Sequence, residues 1–275
     1  MKTLKISLLL TILLFGFNSC KKEEVLGFVF PVSDDVKLGA QVEAEIASKP
    51  AEYKVLDPAA YPAAYAQIQR ITNNILNSGQ VFHKTVFPWK VKIIQDDATL
   101  NAFCTPGGYI YVYTGIIKYL DTEDQLAGVM GHEIAHADRR HYVNQQIKNG
   151  ATQFLISVVA GDKGAIGQLA GDFISKASSL AYSRADETDA DNKSVEYLSG
   201  TATPKYACNS AGAFFQKLVD GGKADCNAIT GFFSTHPCPE NRVANINKQA
   251  TEKQCSTTPS GSAEYAIFKA SLPAN

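Results

Sequence analysis

Residues 132–136 read His-Glu-Ile-Ala-His, and the rest of the chain is interpreted outward from this stretch. Residues four apart in a helix lie one turn above each other on one face, so both imidazoles of a helical His-Glu-x-x-His can reach a single zinc ion. Glu133 lies beside that face, where its carboxylate can take a proton from a water molecule. Apolar residues flank the motif and place the histidines near a core: Leu126, Val129, Met130 and Ile134.

A catalytic zinc needs a third protein ligand and one open position. The first glutamate after His136 is Glu187, which makes it the first candidate for the third ligand. Asp191 follows four residues later on the same helical face, where it can accept the free N–H of a ligating histidine. His141 falls at the wrong angle to join the pair. For His141 we predict a polar contact at the surface or at a helix end, in preference to metal binding.

The hydrophobic periodicity predicts one α+β domain, mostly α, with a small β-sheet beside the His-Glu-x-x-His helix. Residues 33–255 form this domain, and residues 256–275 are predicted to be a C-terminal tail. The predicted helices cover residues 33–50, 63–76, 122–149, 174–198, 205–219 and 239–250, and the predicted strands cover 89–95 and 109–114.

The composition excludes several classes of protein. Of the 275 residues, 45% are hydrophobic and 19% are charged, which are ordinary values for a globular protein and not for a disordered one. The net charge of −1 lacks the basic excess of most nucleic-acid-binding proteins, so we expect no nucleic-acid partner.

The first nineteen residues have the layout of a secretory signal peptide. Lys2 and Lys5 precede a short apolar run over residues 6–17, which is too short for a comfortable transmembrane helix. The stretch ends at Cys20 and resembles a bacterial lipoprotein signal, in which the cysteine is lipidated and becomes the mature N-terminus. Residues 20–32 are then a lipidated tether that anchors the protein to a membrane without spanning it. An uncleaved short anchor remains the alternative.

Five further cysteines would meet an oxidising compartment, where disulfides are allowed. Four of them lie in the last third of the chain, and four cysteines permit three pairings. We predict Cys208–Cys226 and Cys238–Cys255, with Cys104 as a buried free thiol.

Four stretches together resemble the gluzincin metallopeptidases, the family of the CAAX prenyl protease, HtpX and the Oma-type and BepA-type proteases. The first stretch is Asn-Ala-Phe-Cys-Thr-Pro-Gly-Gly-Tyr-Ile at 101–110, and the second is the His-Glu-x-x-His helix. Ser-Arg-x-x-Glu-x-x-Ala-Asp follows at 183–191, and Ser-Thr-His-Pro at 234–237 comes last, with Arg242 after it. The resemblance covers about residues 33–250 and is closest to the periplasmic and mitochondrial branch.

The resemblance implies a role for each matching residue. One Zn²⁺ per chain is bound by His132, His136 and Glu187. Glu133 is the general base, and Asp191 orients a ligand histidine. His236 is either a fourth zinc ligand that gates the site or an ordinary loop residue. Arg242 is expected to act in catalysis, holding the loop or neutralising the reaction intermediate.

The strand after Pro106 has a possible role in substrate binding. Gly107 and Gly108 let the chain turn, and the strand that follows can be an open sheet edge that binds an extended peptide through its backbone. The residues predicted to form this edge are Gly108, Tyr109, Ile110 and Tyr111. An ordinary core strand is an equally good interpretation of most of them.

These features predict a lipid-anchored zinc metalloendopeptidase of the bacterial cell envelope, at the outer membrane and facing the periplasm or the cell surface. Its expected substrates are misfolded, misassembled or membrane-associated proteins. The alternative function is that of a chaperone or assembly factor whose zinc site is closed by His236. A purely structural zinc site is disfavoured, because such sites use four Cys or His ligands and these cysteines lack the spacing.

Overall fold

The computed structural model describes residues 30–148, 163–176, 182–221, 232–237, 241–260 and 263–274. The predicted signal peptide, Cys20 and nearly all of the tether lie outside these residues, as do Cys226 and Cys238. Within the described ranges, no helix is both long enough and apolar enough to cross a bilayer.

The described residues are mostly helical with one small sheet, as the sequence predicts. The helices are α1 Val32–Ala47, α2 Pro62–Leu76, α3 Thr114–Tyr119, α4 Glu123–Asp138, α5 His141–Lys148, α6 Lys163–Lys176, α7 Arg184–Ser199, α8 Ser210–Asp220, α9 Phe232–Thr235, α10 Arg242–Glu252 and α11 Ala263–Ala270. The strands are β1 Lys90–Ile94, β2 Ala102–Thr105 and β3 Tyr109–Tyr113.

The sheet has the order β1-β3-β2, so β3 is its central strand. β3 runs parallel to β1, with Lys90 opposite Tyr109, and antiparallel to β2, with Ala102 opposite Val112. The prediction that β3 offers an open edge is therefore wrong, because both of its sides are already hydrogen-bonded within the sheet. Alternate residues of β3 face two cores: Ile110 packs in the core around α4, and Tyr111 in the one around α1 and α6.

Helix α4 lies at the centre of the molecule, and two glycines allow its neighbours to approach closely. A Cβ on Gly128 would lie 2.3 Å from the backbone nitrogen of Ala211 at the start of α8. A Cβ on Gly131 would lie 2.9 Å from Oγ of Ser194 on α7. The Ser194 hydroxyl in turn donates to the carbonyl oxygen of Gly128 at 2.9 Å. This contact packs α7 directly on α4. It thereby sets where the side chains of α7 lie along α4 relative to His132 and His136.

The predicted single helix over residues 122–149 is wrong, because α4 ends at Asp138 and α5 begins at His141. Arg140 between them has φ 55°, a left-handed conformation that ends a helix. The carboxylate of Asp138 also anchors this end of α4. It accepts hydrogen bonds from the backbone N–H groups of Phe82 and His83 and from the hydroxyl of Tyr197. The break turns α5 away from the axis of α4.

The disulfide in the described part of the chain is Cys208–Cys255. The predicted Cys208–Cys226 and Cys238–Cys255 pairs are therefore wrong, whereas the buried free thiol of Cys104 is confirmed. The start of α8 and the end of α10 lie side by side, and the N–H of Cys208 donates to the carbonyl oxygen of Ser256 at 2.8 Å. The two cysteines are neighbours only in the folded protein, so their spacing in the sequence does not predict the bond.

We expect the double substitution Cys208→Ala and Cys255→Ala to lower the free energy of unfolding by about 4 kcal/mol, because the bond closes a loop across a sequence separation of 47 residues. Urea denaturation of the variant and of the oxidised wild type measures the difference. Wild-type protein under reducing conditions is the control and should match the variant. A loss below about 1 kcal/mol would show that the bond adds little to stability.

The C-terminal residues are part of the packed domain, and the predicted tail is corrected accordingly. Helix α11 buries Tyr265 and Phe268 fully in the core around α4. The hydroxyl of Tyr265 donates to the carbonyl oxygen of Ile117 at 2.7 Å. Hydrophobic periodicity does not predict this helix, nor α3, α9 and β2, because each is only four to eight residues long.

Candidate metal centre

Three imidazoles and one carboxylate converge between α4, α7 and α9. His132 and His136 come from α4, Glu187 from the first turn of α7, and His236 directly follows α9. Their candidate ligand atoms all lie within 4.8 Å of one another, and all four side chains are buried. Nε2 of His132 lies 3.0 Å from Nε2 of His136 and 3.3 Å from Nδ1 of His236. The structure thus brings the four predicted residues to one point.

Glu187 completes the cluster as a buried anion. Its carboxylate oxygens lie 3.4 Å from Nε2 of His132 and 3.4 Å from Nε2 of His136. Burial raises the pKa of Glu187, but the electrostatic interaction with His236 and the hydrogen bonds from all three histidines outweigh it and hold that pKa well below its usual range. Ser183 and Asp186 form a capping box just before Glu187, so the carboxylate sits at the helix end that favours negative charge.

Asp191 and Arg242 contact two members of the cluster, His132 and Glu187. Oδ1 of Asp191 lies 2.9 Å from Nδ1 of His132, as predicted for a residue that orients a ligand histidine. Arg242 donates from Nε and Nη2 to the two oxygens of Asp191, both at 2.8 Å, and from Nη2 to Glu187 at 3.0 Å. Its guanidinium lies 3.7 Å from the ring centre of Phe215. These contacts tie Arg242 to the carboxylates.

Glu133 is buried beside the cluster and is not one of its converging ligands. Its Oε1 makes no hydrogen bond and lies 3.3 Å from Nε2 of His236. Burial raises the pKa of Glu133 to about 7. A carboxylate whose pKa is close to neutral can both accept and return a proton, which is what a general base needs.

The contacts within the cluster test whether a cation fits there. Nitrogen lone pairs that face each other at 3.0 and 3.3 Å repel unless a proton or a cation lies between them. Burial lowers the pKa of His136 well below its usual range, so this imidazole stays neutral with a lone pair free to bind. Three imidazole nitrogens and a carboxylate oxygen are a donor set that zinc prefers. The residues therefore fit a zinc ion.

Two residues that the sequence analysis did not assign to the site surround His136. The ring of Tyr182 stacks on it with 3.9 Å between ring centres. His141, predicted to make a polar contact at the surface or at a helix end, is the first residue of α5 and is buried, with its Nδ1 3.0 Å from Nδ1 of His136. Its spacing in the sequence was visible, but the break at Arg140 that directs it inward was not.

Comparison with known proteins identifies the family to which the chain belongs. The family model described as peptidase family M48 matches residues 62–250. This chain belongs to peptidase family M48. The family uses zinc, and the buried His-His-Glu-His cluster lies within the matched region. The resemblance to the gluzincin metallopeptidases and the fold class expected from it are confirmed.

Individual relatives are similar over the same region. The chain is 31% identical over 169 residues to the mitochondrial metalloendopeptidase OMA1 of Schizosaccharomyces pombe, which covers 60% of this chain and 48% of that protein. It is 26% identical over 175 residues to the beta-barrel assembly-enhancing protease of Escherichia coli, which covers 60% of this chain and 35% of that protein. The chain thus matches about half of the first relative's length and about a third of the second's.

Proposed function

We propose that this protein is a zinc metalloendopeptidase. One observation carries the proposal: the ligand atoms of His132, His136, Glu187 and His236 converge within 4.8 Å, and the Glu133 carboxylate, whose Oε1 makes no hydrogen bond, lies directly beside them. We assign His132, His136 and Glu187 as the protein ligands of a catalytic zinc, and His236 to the position that a catalytic site keeps open. The identity to a metalloendopeptidase and to a protease over the same region supports it.

The side chains divide the work of peptide hydrolysis. When bound, Zn²⁺ acidifies the attacking water and polarises the scissile carbonyl. Glu133 takes the proton of that water on Oε1 and passes it to the leaving amine. Asp191 keeps His132 oriented through Nδ1, and Arg242 holds both Asp191 and Glu187 in place. We therefore assign Arg242 to positioning the metal ligands and not to contact with the reaction intermediate.

The outer side of β2 is the better candidate for substrate pairing now that β3 is known to be central. β2 is an edge strand, and it packs against α4, which carries the histidines. Asn101 accepts a hydrogen bond from Tyr113 on β3, and the alternation of an antiparallel ladder directs the backbone groups of Cys104 to the other side. Cys104 of β2 and the following Pro106 line a small pocket together with His136 and Tyr182, among others. An extended peptide paired there would pass His136.

Metal removal tests the proposed activity. The purified protein without its first twenty residues is incubated with casein, an unstructured substrate, before and after treatment with a chelator. We expect cleavage to stop with the chelator and to return when one equivalent of zinc per chain is added. Cleavage that continues in metal-free protein would refute a zinc peptidase.

We further propose that the protein is lipidated at Cys20 and anchored in the bacterial envelope, where it cleaves misfolded or membrane-associated proteins. The lipoprotein-like signal of the first twenty residues supports the anchor. Cys20→Ser is expected to move the protein from the membrane fraction to the soluble fraction after cell lysis. Retention in the membrane fraction would favour an uncleaved anchor.

A chaperone or assembly factor with a closed zinc site is the second candidate function. This function is supported by the position of His236, which lies 3.2 Å from Glu187 and 3.3 Å from Glu133. The imidazole of His236 therefore fills the space between the candidate ligand Glu187 and the candidate base Glu133. If closure is permanent, cells carrying Glu133→Gln keep the function of the protein. If closure is a resting state, Glu133→Gln abolishes it.

We expect His236→Ala to increase the rate of casein cleavage by about tenfold, which corresponds to a closed state favoured by about 1.4 kcal/mol. The physical reason is that His236 competes with water and substrate for the place beside Glu133. Initial rates are measured at equal zinc content, because His132, His136 and Glu187 remain as ligands. A fall in rate with zinc still bound would contradict the gating role.

A further inference from the structure

We infer that His141 and Asp189 are positioning residues of the metal centre, which hold the imidazole of His136 with its Nε2 lone pair directed at the cluster. The inference rests on the proposed zinc site. Neither residue belongs to the converging ligand set.

The two residues form a chain of contacts that ends on His136. Nδ1 of His141 lies 3.0 Å from Nδ1 of His136, and Nε2 of His141 lies 3.1 Å from Oδ2 of Asp189. His141 is buried, and Asp189 is about one-third exposed, where it also accepts a hydrogen bond from Nε of Arg139 at 2.9 Å. The far face of His136 is covered by the stacked ring of Tyr182.

The contacts along this chain point to one tautomer of His136. A carboxylate accepts, so Nε2 of His141 donates to Oδ2 of Asp189. We assign the other nitrogen of His141 as an acceptor, so Nδ1 of His141 takes a hydrogen bond from Nδ1–H of His136. Nε2 of His136 is left without a proton, and this is the atom that lies 3.0 Å from His132 and 3.4 Å from Glu187. The carboxylate of Asp189 thus orients the candidate ligand atom, Nε2 of His136, through His141.

The arrangement parallels the one at the other histidine. Asp191 accepts directly from Nδ1 of His132 at 2.9 Å, and Asp189 acts on His136 through His141. Both carboxylates and the candidate ligand Glu187 lie on α7, so one helix supplies a ligand and the orientation of the two others. The left-handed Arg140 makes this possible, because it ends α4 and lets the side chain of His141, at the start of α5, contact His136. Partners of this kind are worth roughly 10–100-fold in metal affinity.

Zinc affinity, measured by competition with a chromophoric chelator, tests the inference. His141→Phe keeps a buried ring but removes the acceptor, and we expect it to weaken zinc binding by roughly 10–100-fold. His141→Asn places an oxygen near the Nδ1 position and should restore most of the affinity. Asp189→Asn should fall between the two. His83→Phe, at a buried histidine that bonds to Asp138 outside the cluster, is the matched control and should leave zinc affinity unchanged.

A role in packing alone predicts a different pattern, in which His141→Phe binds zinc as tightly as the wild type or His141→Asn is no better than His141→Phe. Either result would overturn the inference. Nitrogen-15 NMR of the metal-free protein gives a readout that does not need zinc. A proton on Nδ1 of His136 supports the inference, and a proton on Nε2 overturns it. If the wild type binds no zinc, the proposed function fails and the NMR result still judges this inference.

Discussion

Glu133→Gln is expected to reduce casein cleavage by roughly 10²–10⁴-fold, the contribution of a general base. Glutamine has nearly the same size as glutamate but cannot take a proton. Oε1 of Glu133 lies next to the cluster without a hydrogen bond, where it can take a proton. Initial rates of fragment release measure the effect.

Two controls separate this loss from a damaged site. Zinc content should remain at the wild-type level, because Glu133 is not one of the four converging ligands. The midpoint of urea unfolding should not fall, since burial already disfavours the charged form of this carboxyl, whose pKa is raised to about 7. A variant that keeps its zinc and cleaves within a few-fold of the wild-type rate would remove Glu133 from the mechanism.

Glu187→Ala is expected to have the largest effect on the metal centre. The variant loses an anionic ligand, so its zinc affinity should fall by more than the roughly 10–100-fold that loss of an outer partner costs. It also removes one of two carboxylates that hold the buried guanidinium of Arg242. Breaking a buried pair from one side costs about 3 kcal/mol or more, which should appear in the free energy of unfolding of the metal-free protein.

Glu196→Ala is the matched control for this prediction. Glu196 lies on the same helix α7, but it is partly exposed and pairs with Lys193 at 2.9 Å. Exposed pairs of this kind contribute about 0–1 kcal/mol to the free energy of unfolding. The zinc affinity and the unfolding midpoint of the Glu196→Ala variant should therefore stay close to those of the wild type. Chelator competition and urea denaturation measure both variants. Equal behaviour of the two would mean that Glu187 is neither a ligand nor a partner of Arg242.

The predicted site residues that the structure brings together are related by local spacing. His132 and His136 share a face because they are four apart on one helix, and Glu187 and Asp191 share a face for the same reason. Each pair then needs only one packing contact to meet. That contact is the close approach of α7 to α4 at Gly131, which places both faces against each other.

The parts that were wrong or not predicted depend on relations that the sequence pattern does not contain. The central position of β3 follows from pairing on both sides, and the alternating pattern of a strand is the same in the middle of a small sheet as at its edge. The burial of His141 against His136 follows from the left-handed conformation of Arg140. No glycine or proline at this point of the sequence indicates that the helix ends there. The Cys208–Cys255 bond requires the packing of α8 on α10. Hydrophobic periodicity and residue spacing contain none of these relations.

Anomalous diffraction at the zinc edge, from crystals of the zinc-loaded protein, tests the central claim most directly. The expected result is a single zinc peak at about 2.0–2.1 Å from a ring nitrogen of both His132 and His136 and about 2.0–2.2 Å from Glu187, with Glu133 close by and not bonded to it. Zinc bound at other residues, or directly by Glu133, would contradict the assignment of a catalytic centre with a free general base.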